Sequence, residues 1–203
     1  FLAQVNTGKK EVMYSCLGYI ILGKIIEQIT KEKLDKFCRT NIFKKIGLKN
    51  TMFGPIRIRK NVAATEFGNE HEKQKALKYG DISKIRWRNH LISREVHDGN
   101  SFYGYKGVSG NAGLFSNVPD LVRITRAYLG SGIVKSNTMK LMIKDHTGGK
   151  ERRGLGWLIN PYPGLLSSAA FGHTGFTGTM LMIDPFKDLI IILLTNVVHT
   201  KVR

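Results

Sequence analysis

The feature that most constrains the fold is a pair of aliphatic runs near the C-terminus, separated by a short turn. Residues 180–183 read Met-Leu-Met-Ile, residues 184–188 read Asp-Pro-Phe-Lys-Asp, and residues 189–196 are apolar up to a final Thr-Asn. Aliphatic runs on both sides of a Pro/Asp turn predict a β-hairpin. Because the second run has no polar alternation, we expect it to be a central strand buried on both faces.

The segment that leads into this hairpin, residues 170–179, is rich in glycine and hydroxyl side chains and holds one histidine, His173. Its glycines, Gly172, Gly175 and Gly178, recur at every third residue. Glycine at the start of a strand lets another backbone approach closely. Spacing alone does not separate an ordinary Gly-rich lead-in from a functional loop, so a second motif is needed to decide.

A second motif, Tyr14-Ser15-Cys16, opens a strongly apolar segment near the N-terminus. Aliphatic residues recur there at every fourth position and predict a helix with an apolar stripe, formed by Leu17, Ile21, Ile25 and Ile29. The first turns are apolar nearly all round, so we expect this helix to insert end-on into a core. Ser15 is a suitable N-cap, which would hold Tyr14 at the mouth of the buried helix. Taken alone, such a tyrosine is more commonly a packed aromatic residue than a catalytic one.

Three further helices are indicated. Residues 33–43 predict one that ends before Gly47; Asn117 or Ser116 can cap a second with Pro119 in its first turn; and Ser136 can cap a short third. The apolar residues expected to face inward are Leu34, Phe37 and Cys38 in the first, Leu121, Ile124 and Leu129 in the second, and Met139, Leu141 and Met142 in the third.

The remaining segments predict loops and one more strand. Residues 61–100 are polar, basic and weakly periodic, with Trp87 as the one strong anchor; we expect a long surface excursion that could form one wall of a substrate cleft. The His97-Asp98 pair within it is better explained by a structural hydrogen bond than by a metal or a catalytic dyad. Residues 103–113 carry four glycines and predict a tight loop, and residues 156–159 predict the first strand of the C-terminal sheet.

Composition bounds the function. The 203 residues are 42% hydrophobic and 23% charged, as expected for one globular domain or a large part of one. The formal charge of +17 makes nucleic acid a candidate partner. The basic residues are scattered, however, and neither a known recognition signature nor an interleaved aromatic platform accompanies them. We therefore expect a solvated basic surface and no specific nucleic-acid partner; affinity for an anionic envelope surface is a secondary possibility.

The cysteines and histidines predict neither a metal nor a cofactor. Cys16 and Cys38 lack metal-ligand spacing, and two cysteines do not by themselves establish a disulfide. Buried thiols are the simplest interpretation. Neither His-Glu-x-x-His nor paired Cys-x-x-Cys occurs. No run approaches the ~20 apolar residues of a membrane span, and the chain opens without a signal-peptide pattern, which leaves bacterial cytoplasm and cell envelope both open.

Five segments together resemble the class C β-lactamase and penicillin-binding-protein-like serine hydrolases. The Tyr-Ser-Cys segment with its following helix is similar to that family's Tyr-x-Asn motif, and His-Thr-Gly at 173–175 is similar to its Lys/His-Thr-Gly strand. Three further familial segments lie between these two in the expected order, residues 42–53, 95–100 and 110–116, and the likeness at His-Thr-Gly continues through residues 178–196. The resemblance implies an α+β fold of the β-lactamase/transpeptidase type, an antiparallel sheet flanked by helices. Residues 14–150 would form the mainly helical and loop part, and residues 154–203 the sheet part.

The resemblance also implies roles for particular residues. In this family a serine of a Ser-x-x-Lys motif attacks an acyl carbonyl, because serine becomes nucleophilic only when a neighbouring base takes its proton. Tyr14 would be the base or proton relay, and His173 would replace the motif's lysine. Thr174 and Gly175 would line the substrate, Thr174 contacting its carboxylate or carbonyl. The backbone N–H of Phe176 would supply one oxyanion donor.

Two departures from the family pattern limit what the resemblance implies. Cys16 stands at the substrate-binding position where the motif has asparagine, and its weak S–H cannot reproduce an amide. β-Lactamase activity itself is therefore doubtful, whereas esterase- or peptidase-like activity would suffer less. Moreover, none of the serines has a lysine three residues later. We expect the nucleophile on a segment upstream of this chain, which resembles a portion of the domain cut at both ends.

These features predict a serine hydrolase that acts on an amide or ester through an acyl-enzyme, with a small-molecule or peptide acyl substrate. The chain alone is predicted to be inactive, to need the missing N-terminal segment of the same fold, and to self-associate through an unpaired sheet edge. The alternative is a non-catalytic peptide or cell-wall binding module, either a pseudoenzyme or a fragment.

Overall fold

The computed structural model describes residues 14–57, 61–130, 132–148 and 151–202. Five α-helices and six strands are defined there. The helices are α1 Cys16–Thr30, α2 Leu34–Cys38, α3 Glu70–Leu77, α4 Val118–Leu129 and α5 Ser136–Met142. The strands are β1 Met52–Phe53, β2 Leu114–Phe115, β3 Leu158–Ile159, β4 Phe171–Thr174, β5 Thr179–Asp184 and β6 Leu189–Leu194. Two π-helical turns, Arg39–Phe43 and Asn100–Gly104, complete the set, the first continuing directly from α2.

The main sheet is antiparallel, with the strand order β3-β4-β5-β6, and β1 pairs with β2 in a separate two-stranded ribbon. The predicted hairpin is confirmed as β5 and β6, in which Thr179 lies opposite Leu194 and Asp184 lies opposite Leu189. The Asp184 carboxylate accepts the N–H groups of Phe186 and Lys187 in the connecting turn. A side chain that satisfies turn amides in this way explains why the Asp-Pro sequence ends the strand.

The apolar core lies between one face of this sheet and α5. Met139, Ile159, Phe171 and Ile183 form its buried centre. Five partly buried side chains pack around them: Tyr128, Val134, Ile143, Trp157 and Leu181. Trp157 meets both Tyr128 and Phe171 edge-on, with ring centroids 5.6 and 5.3 Å apart. Such edge-to-face contacts add to the free energy gained from area burial.

The prediction of a central, doubly buried strand for residues 189–196 is wrong. β6 is the last strand of the four-stranded sheet in the described structure, and Leu189, Leu193 and Leu194 are exposed. An apolar run without alternation shows that both faces of a strand are apolar, but both are buried only where other elements pack on them. Here α4 packs on β6, while its edge has no neighbouring strand among the described residues.

Helix α1 begins as predicted, and the Ser15 side chain accepts the Leu17 N–H as its N-cap. Its expected apolar stripe, however, does not face a core: Ile25 and Ile29 are 45% and 76% exposed. The buried positions are Ile20 and Gly23 instead. They are buried because the glycine loop at 107–113 approaches the helix backbone at Gly23, a contact that no side-chain periodicity reveals.

The predicted second helix is confirmed at α2 and the π turn that follows, where Leu34 and Phe43 are buried. The Glu27 carboxylate of α1 accepts the Leu34 N–H and thereby begins α2. Cys16 and Cys38 are both free thiols and half-buried.

The α4 start was correctly predicted, but its buried face only in part, since Leu121 and Ile124 are partly buried. Asn117 is the N-cap and accepts the Asp120 N–H, with proline in the first turn. Leu129 is exposed, whereas Asp120 and Thr125 are buried. Asp120 is buried because its carboxylate accepts the Asn50 N–H and the Thr51 hydroxyl. Burial acts to raise its pKa, but these hydrogen bonds outweigh burial and lower it.

Two smaller predictions near the sheet need correction. α5 does span a short helix, but Lys135 is its N-cap and Ser136 is its first residue. Met139 is buried as expected, while Leu141 is half exposed. The strand expected at 156–159 is limited to Leu158–Ile159, because Gly156 has a φ of +90° that does not fit a strand.

The predicted surface excursion at 61–100 contains a helix, α3, and a buried polar cluster. α3 was missed because none of its residues is buried, so it has no apolar face to create a period. No helix in the described ranges is long and apolar enough to cross a membrane.

Candidate active site

The structure brings Tyr14 and His173 side by side. Tyr14 directly precedes the Ser15 cap of α1, and His173 lies on β4, yet their ring centroids are 6.3 Å apart. The Tyr14 ring is 68% exposed, and the His173 side chain is partly buried. Two residues separated by 159 positions in sequence therefore share one surface. Their catalytic roles remain predictions.

Arg153 joins these two residues and was not foreseen from the sequence. Its guanidinium lies 5.8 Å from the Tyr14 ring centroid, and its Nη1 lies 2.9 Å from His173 Nε2. The other side of the guanidinium pairs with Glu151. Arg153 Nε is buried and has no hydrogen-bond partner within the described ranges.

This contact fixes the proton on His173. A guanidinium only donates hydrogen bonds, so His173 Nε2 must accept. The proton then lies on Nδ1, which is 2.7 Å from the Thr174 carbonyl oxygen and donates to it. Arg153 thus places a positive charge directly beside His173.

The environment of Tyr14 keeps its hydroxyl protonated. Partial desolvation raises the pKa of Tyr14, and the nearby Cys16 thiol acts in the same direction. The Arg153 guanidinium opposes this shift but does not reverse it. A general base works best when its pKa lies near the working pH. Tyr14 would therefore need a further positive charge close to its hydroxyl to act as one.

The turn after His173 presents backbone groups beside these side chains. Gly175 N–H donates to the Thr179 carbonyl and Gly178 N–H donates to the Gly175 carbonyl, which closes a tight turn. Thr174 and Phe176 are both exposed on it. Among the described residues, no hydrogen bond engages the Phe176 N–H. This N–H has the availability that an oxyanion donor requires.

Cys16 is the first residue of α1, two positions after Tyr14. Residues of a polar loop, Asp98 and Asn111, affect the pKa of its thiol. Burial raises the pKa of its thiol, and the Asp98 carboxylate acts in the same direction, whereas the Asn111 amide acts to lower it. Asn111 Nδ2 donates to Asp98 Oδ1 at 3.2 Å. The position of the expected asparagine is therefore held by a thiol, with another asparagine beside it.

A buried polar cluster supports the loop behind this site, centred on Arg88. Its guanidinium donates to Asn69 Oδ1, to the Val96 carbonyl and to the His97 carbonyl, at 2.6–2.7 Å. The Arg88 side chain is only 2% exposed and stacks over the Phe102 ring at 4.0 Å. This cluster fixes the backbone just before Asp98.

The cluster also holds ionisable groups with displaced pKa values. Burial raises the pKa of Glu72 to about 7, although the Gly99 N–H donates to its carboxylate. Burial and the Arg88 charge lower the pKa of His97 to about 4. His97 Nε2 lies 2.9 Å from Glu66 Oε1. The pair His97-Asp98 is thus not a dyad: the imidazole faces Glu66, and Asp98 accepts the N–H of Ser101 and the amide of Asn111.

Phe176 connects the cluster to the turn after His173. Its ring stacks on His97, with centroids 5.7 Å apart, and also meets His71 of α3 at 6.2 Å. The excursion at 61–100 therefore lies against the predicted site, as a cleft wall would. Sequence reasoning missed Arg153, Asn111 and Glu72. Asn111 stood within a segment recognised as familial, whereas Arg153 and Glu72 gave no signal beyond ordinary charge.

Comparison with known proteins establishes the family. The sequence profile of the family described as Beta-lactamase matches residues 2–203, and the chain belongs to that family. It is 36% identical over 216 residues to a Bacillus subtilis (strain 168) N-acetylmuramyl-L-alanine amidase, covering 97% of this chain and 46% of that protein. It is 34% identical over 217 residues to a putative D-alanyl-D-alanine carboxypeptidase of Escherichia coli (strain K12), covering 98% and 48%.

The fold agrees with that assignment. The octameric penicillin-binding protein homologue from Pyrococcus abyssi superposes with a TM-score of 0.65 at 22% identity, covering 92% of this chain and 39% of that one. The predicted α+β fold of helices and an antiparallel sheet is confirmed by this likeness and by the structure itself. The chain spans about half the length of the curated relatives it matches.

Proposed function

We propose that this chain forms the Tyr and His-Thr-Gly part of a serine hydrolase that cleaves an amide or ester through an acyl-enzyme. The observation that carries the proposal is the juxtaposition of Tyr14 with His173 and Arg153, across 159 residues of sequence. Family membership supports it, since serine hydrolases of this class need a proton-handling residue opposite a substrate-binding strand. Peptides ending in D-amino acids are the first substrates to test, because matched relatives are named as an amidase and carboxypeptidases.

The nucleophile is proposed to lie on a Ser-x-x-Lys segment outside these 203 residues. No serine of the chain has a lysine three residues later. The electrostatics of Tyr14 support the same conclusion, because its raised pKa calls for an additional cation before it can take a proton. The lysine of Ser-x-x-Lys would supply that charge, and the chain alone would be inactive.

The substrate is proposed to bind along β4. Arg153 carries a fixed positive charge beside His173, with a buried Nε that has no partner in the described ranges. Exposed Thr174 lies next to it. A carboxylate or polarised carbonyl fits this end of the site, and the Phe176 N–H would receive the oxyanion that forms on attack.

The segment with the nucleophile is also the proposed partner of the exposed apolar surfaces. β6 offers an unpaired edge among the described strands, and α1 exposes Ile25 and Ile29. Exposed strand edges and apolar faces associate readily. We therefore expect the isolated chain to self-associate, and the joined protein to be monodisperse.

The test joins the chain to an N-terminal segment with Ser-x-x-Lys from a matched relative and measures acylation. The isolated chain should give no covalent adduct with penicillin-like or fluorophosphonate probes in intact-mass spectrometry, whereas the joined protein should label at one serine. Tyr14→Phe in the joined protein should slow acylation by about 10²–10⁴-fold. Tyr79→Phe, which removes a hydroxyl from an 80% exposed tyrosine just after α3, is the matched control and should label at the parental rate.

The outcomes separate the alternatives. Stoichiometric labelling of the isolated chain would show that the nucleophile lies within these 203 residues. A joined protein that binds D-amino-acid peptides but never labels would be a non-catalytic binding module.

A further inference from the structure

The Phe176 ring is the one aromatic group in the turn that follows His173, and it is 62% exposed. Single exposed hydrophobic side chains are common on protein surfaces and do not by themselves indicate a function. Two features distinguish this one. Its ring packs on partners that are themselves held in place, and its backbone N–H is the candidate oxyanion donor of the site.

The ring contacts two imidazoles. It stacks on His97, with centroids 5.7 Å apart and planes inclined by 29°, and it meets His71 at 6.2 Å and 33°. Phe186, in the β5–β6 turn, is the natural comparison: it is 84% exposed and has no ring contact among the described residues. The Phe176 ring is therefore supported on one part of its surface and open over most of the rest.

His97 is a fixed support for this ring. Its side chain is 10% exposed and lies 2.9 Å from the Glu66 carboxylate, which is 2% exposed. The backbone carbonyl of His97 accepts a hydrogen bond from the buried Arg88 guanidinium at 2.7 Å. Because both the imidazole and the main chain of His97 have buried partners, the surface under the Phe176 ring is defined by the polar cluster.

The main chain of the turn is fixed on both sides of Phe176. Gly175 N–H donates to the Thr179 carbonyl at 2.7 Å, and Val197 N–H donates to the Thr177 carbonyl at 3.1 Å. A Cβ added at Gly175 would overlap the Thr179 hydroxyl, so the chain passes there with no room to spare. Within the described ranges, none of the hydrogen bonds of the turn uses the Phe176 N–H.

The ring and the free N–H belong to one residue and are separated only by Cα and Cβ. A donor that stabilises an oxyanion lies about 2.7–3.1 Å from the oxygen. A carbonyl held by the Phe176 N–H therefore has its substituents close to the Phe176 ring. Ligand sites combine a few polar groups that fix orientation with apolar and aromatic walls that recognise the rest of the molecule.

We propose that the Phe176 ring, supported by His97, is an apolar wall that selects substrates with an aromatic or aliphatic group next to the scissile bond. This inference rests on the proposed function, because the ring acts beside the same oxyanion donor. The two parts of Phe176 are separable by mutation. Any residue except proline keeps the N–H, whereas the ring is lost on substitution. Phe176 determines specificity through its side chain, and His97 is a positioning residue.

The test measures selectivity in the joined protein, as the ratio of kcat/KM for phenylacetyl and acetyl thioesters of the same small thiol. Phe176→Ala should lower this ratio about tenfold, mainly through KM, which is at the low end of the range for apolar pockets because the ring is partly exposed. The acetyl thioester should keep its kcat/KM within about threefold, since the N–H remains. Phe176→Leu should give an intermediate ratio. Phe186→Ala is the matched control and should leave the ratio unchanged.

A second substrate pair examines the other side of the scissile bond. Acetyl thioesters of benzyl and methyl thiols differ only in the leaving group, and their ratio in parent and Phe176→Ala shows whether the ring contacts that side. A ring-dependent ratio on either side supports the proposal. If Phe176→Ala does not fold, Phe176→Leu carries both comparisons with an expected change of about threefold.

A binding readout does not depend on turnover. Phenylacetone has the carbonyl and the aromatic group but no leaving group. Its dissociation constant for the joined protein, measured by NMR titration, should rise about tenfold in Phe176→Ala and stay at the parental value in Phe186→Ala. Nuclear Overhauser contacts between the ligand ring and the Phe176 ring should be present in the parent.

The results separate the two proposals. An enzyme that is acylated but shows the same two ratios in parent and Phe176→Ala overturns the apolar wall and leaves the proposed function standing. Equal losses for the acetyl and phenylacetyl substrates also overturn the wall, because they indicate a damaged turn and not lost selectivity. A parent protein that is never acylated overturns the proposed function. Phenylacetone then decides the role of the ring: weaker binding in Phe176→Ala supports it, and unchanged or absent binding overturns it.

Discussion

The molecule has two buried regions of opposite chemistry. The region beneath the sheet is apolar, with Met139, Ile159, Phe171 and Ile183 at its centre. The region behind the loop at 95–113 is polar, and its most buried side chains include Glu66, Asn69 and Arg88. Both are removed from water to a similar extent, yet only the second contains groups that ionise.

The difference shows how each region is stabilised and what it is for. The apolar region gains free energy from burial alone, so its geometry tolerates changes in pH. The polar region avoids a large desolvation cost only because its donors and acceptors are paired. In return it fixes backbone carbonyls, notably those of Val96 and His97, and thus the loop that carries Asp98. The polar region therefore positions the site, and the apolar region supports the sheet on which the site is built.

Removing the centre of the polar region should have the largest effect. Arg88→Met should lower the free energy of unfolding by about 3–5 kcal/mol, because it leaves buried acceptors unpaired and several carboxyls without their cation. Arg86→Met, two residues away and exposed, should change it by less than about 0.5 kcal/mol. Urea unfolding of both variants measures the difference. Equal stability of the two would mean that Arg88 is not the organising group of this region.

A large-to-small substitution in the apolar region should lower the free energy of unfolding nearly as much, because it leaves a cavity. Phe171 is fully buried, and Phe171→Ala should lower stability by about 3–5 kcal/mol. Phe186 is 84% exposed in the β5–β6 turn, so Phe186→Ala should have little effect. The loss at Phe171 should be the same at pH 5 and pH 7.5, since no ionisable group is removed. A loss that varied strongly with pH would break the contrast between the two regions.

The smallest expected effect on stability is the pH dependence that the polar region contributes. It also separates the polar region from the apolar region most clearly. Glu72 has its pKa raised to about 7, so its contribution to stability is complete below about pH 4.5 and is lost as the pH rises towards 7. His97 has its pKa lowered to about 4, so its contribution is complete above about pH 6.5 and is lost as the pH falls towards 4. Between pH 4.5 and 6.5, a rise in pH therefore lowers the contribution of Glu72 to the free energy of unfolding and raises that of His97.

Glu72→Gln should remove the part of the pH dependence of stability that comes from Glu72. Relative to the parent, the variant should gain about 1–3 kcal/mol of stability between pH 4.5 and pH 7.5, on top of a pH-independent loss from altered hydrogen bonds. Exposed Glu70→Gln is the control and should leave the profile unchanged. Urea midpoints across this pH range give the measurement, and parallel profiles for Glu72→Gln and parent would contradict the raised pKa.

Much of the fold follows from local sequence. The hairpin of β5 and β6, the Ser15 cap of α1 and the Asn117 cap of α4 all depend on residues within a few positions of one another. Interactions over such short separations recur in any chain with the same pattern. The motif residues Tyr14 and His173 were likewise recognisable as a pair, because each has its own local signature.

Which face of each helix or strand is buried was harder to predict. The apolar stripe of α1 and the run in β6 were both expected to be buried, and both are partly exposed. Periodicity gives the direction of a side chain on its own element, but burial depends on which other element packs there. Asp120 shows the converse, since hydrogen bonds to Asn50 and Thr51 allow a carboxylate to be buried where an apolar face was expected.

The sequence by itself determined the β5–β6 hairpin, the starts of α1 and α4 with their caps, and the two motifs that belong to the family. Only the tertiary structure decided that Arg153 contacts both Tyr14 and His173, that Asn111 pairs with Asp98, and that Arg88 is the centre of a buried polar region. The physical reason is that hydrogen bonds between distant side chains have no period and no fixed spacing. They form only after packing has brought the main chains together, as at the contact of Gly110 with α1.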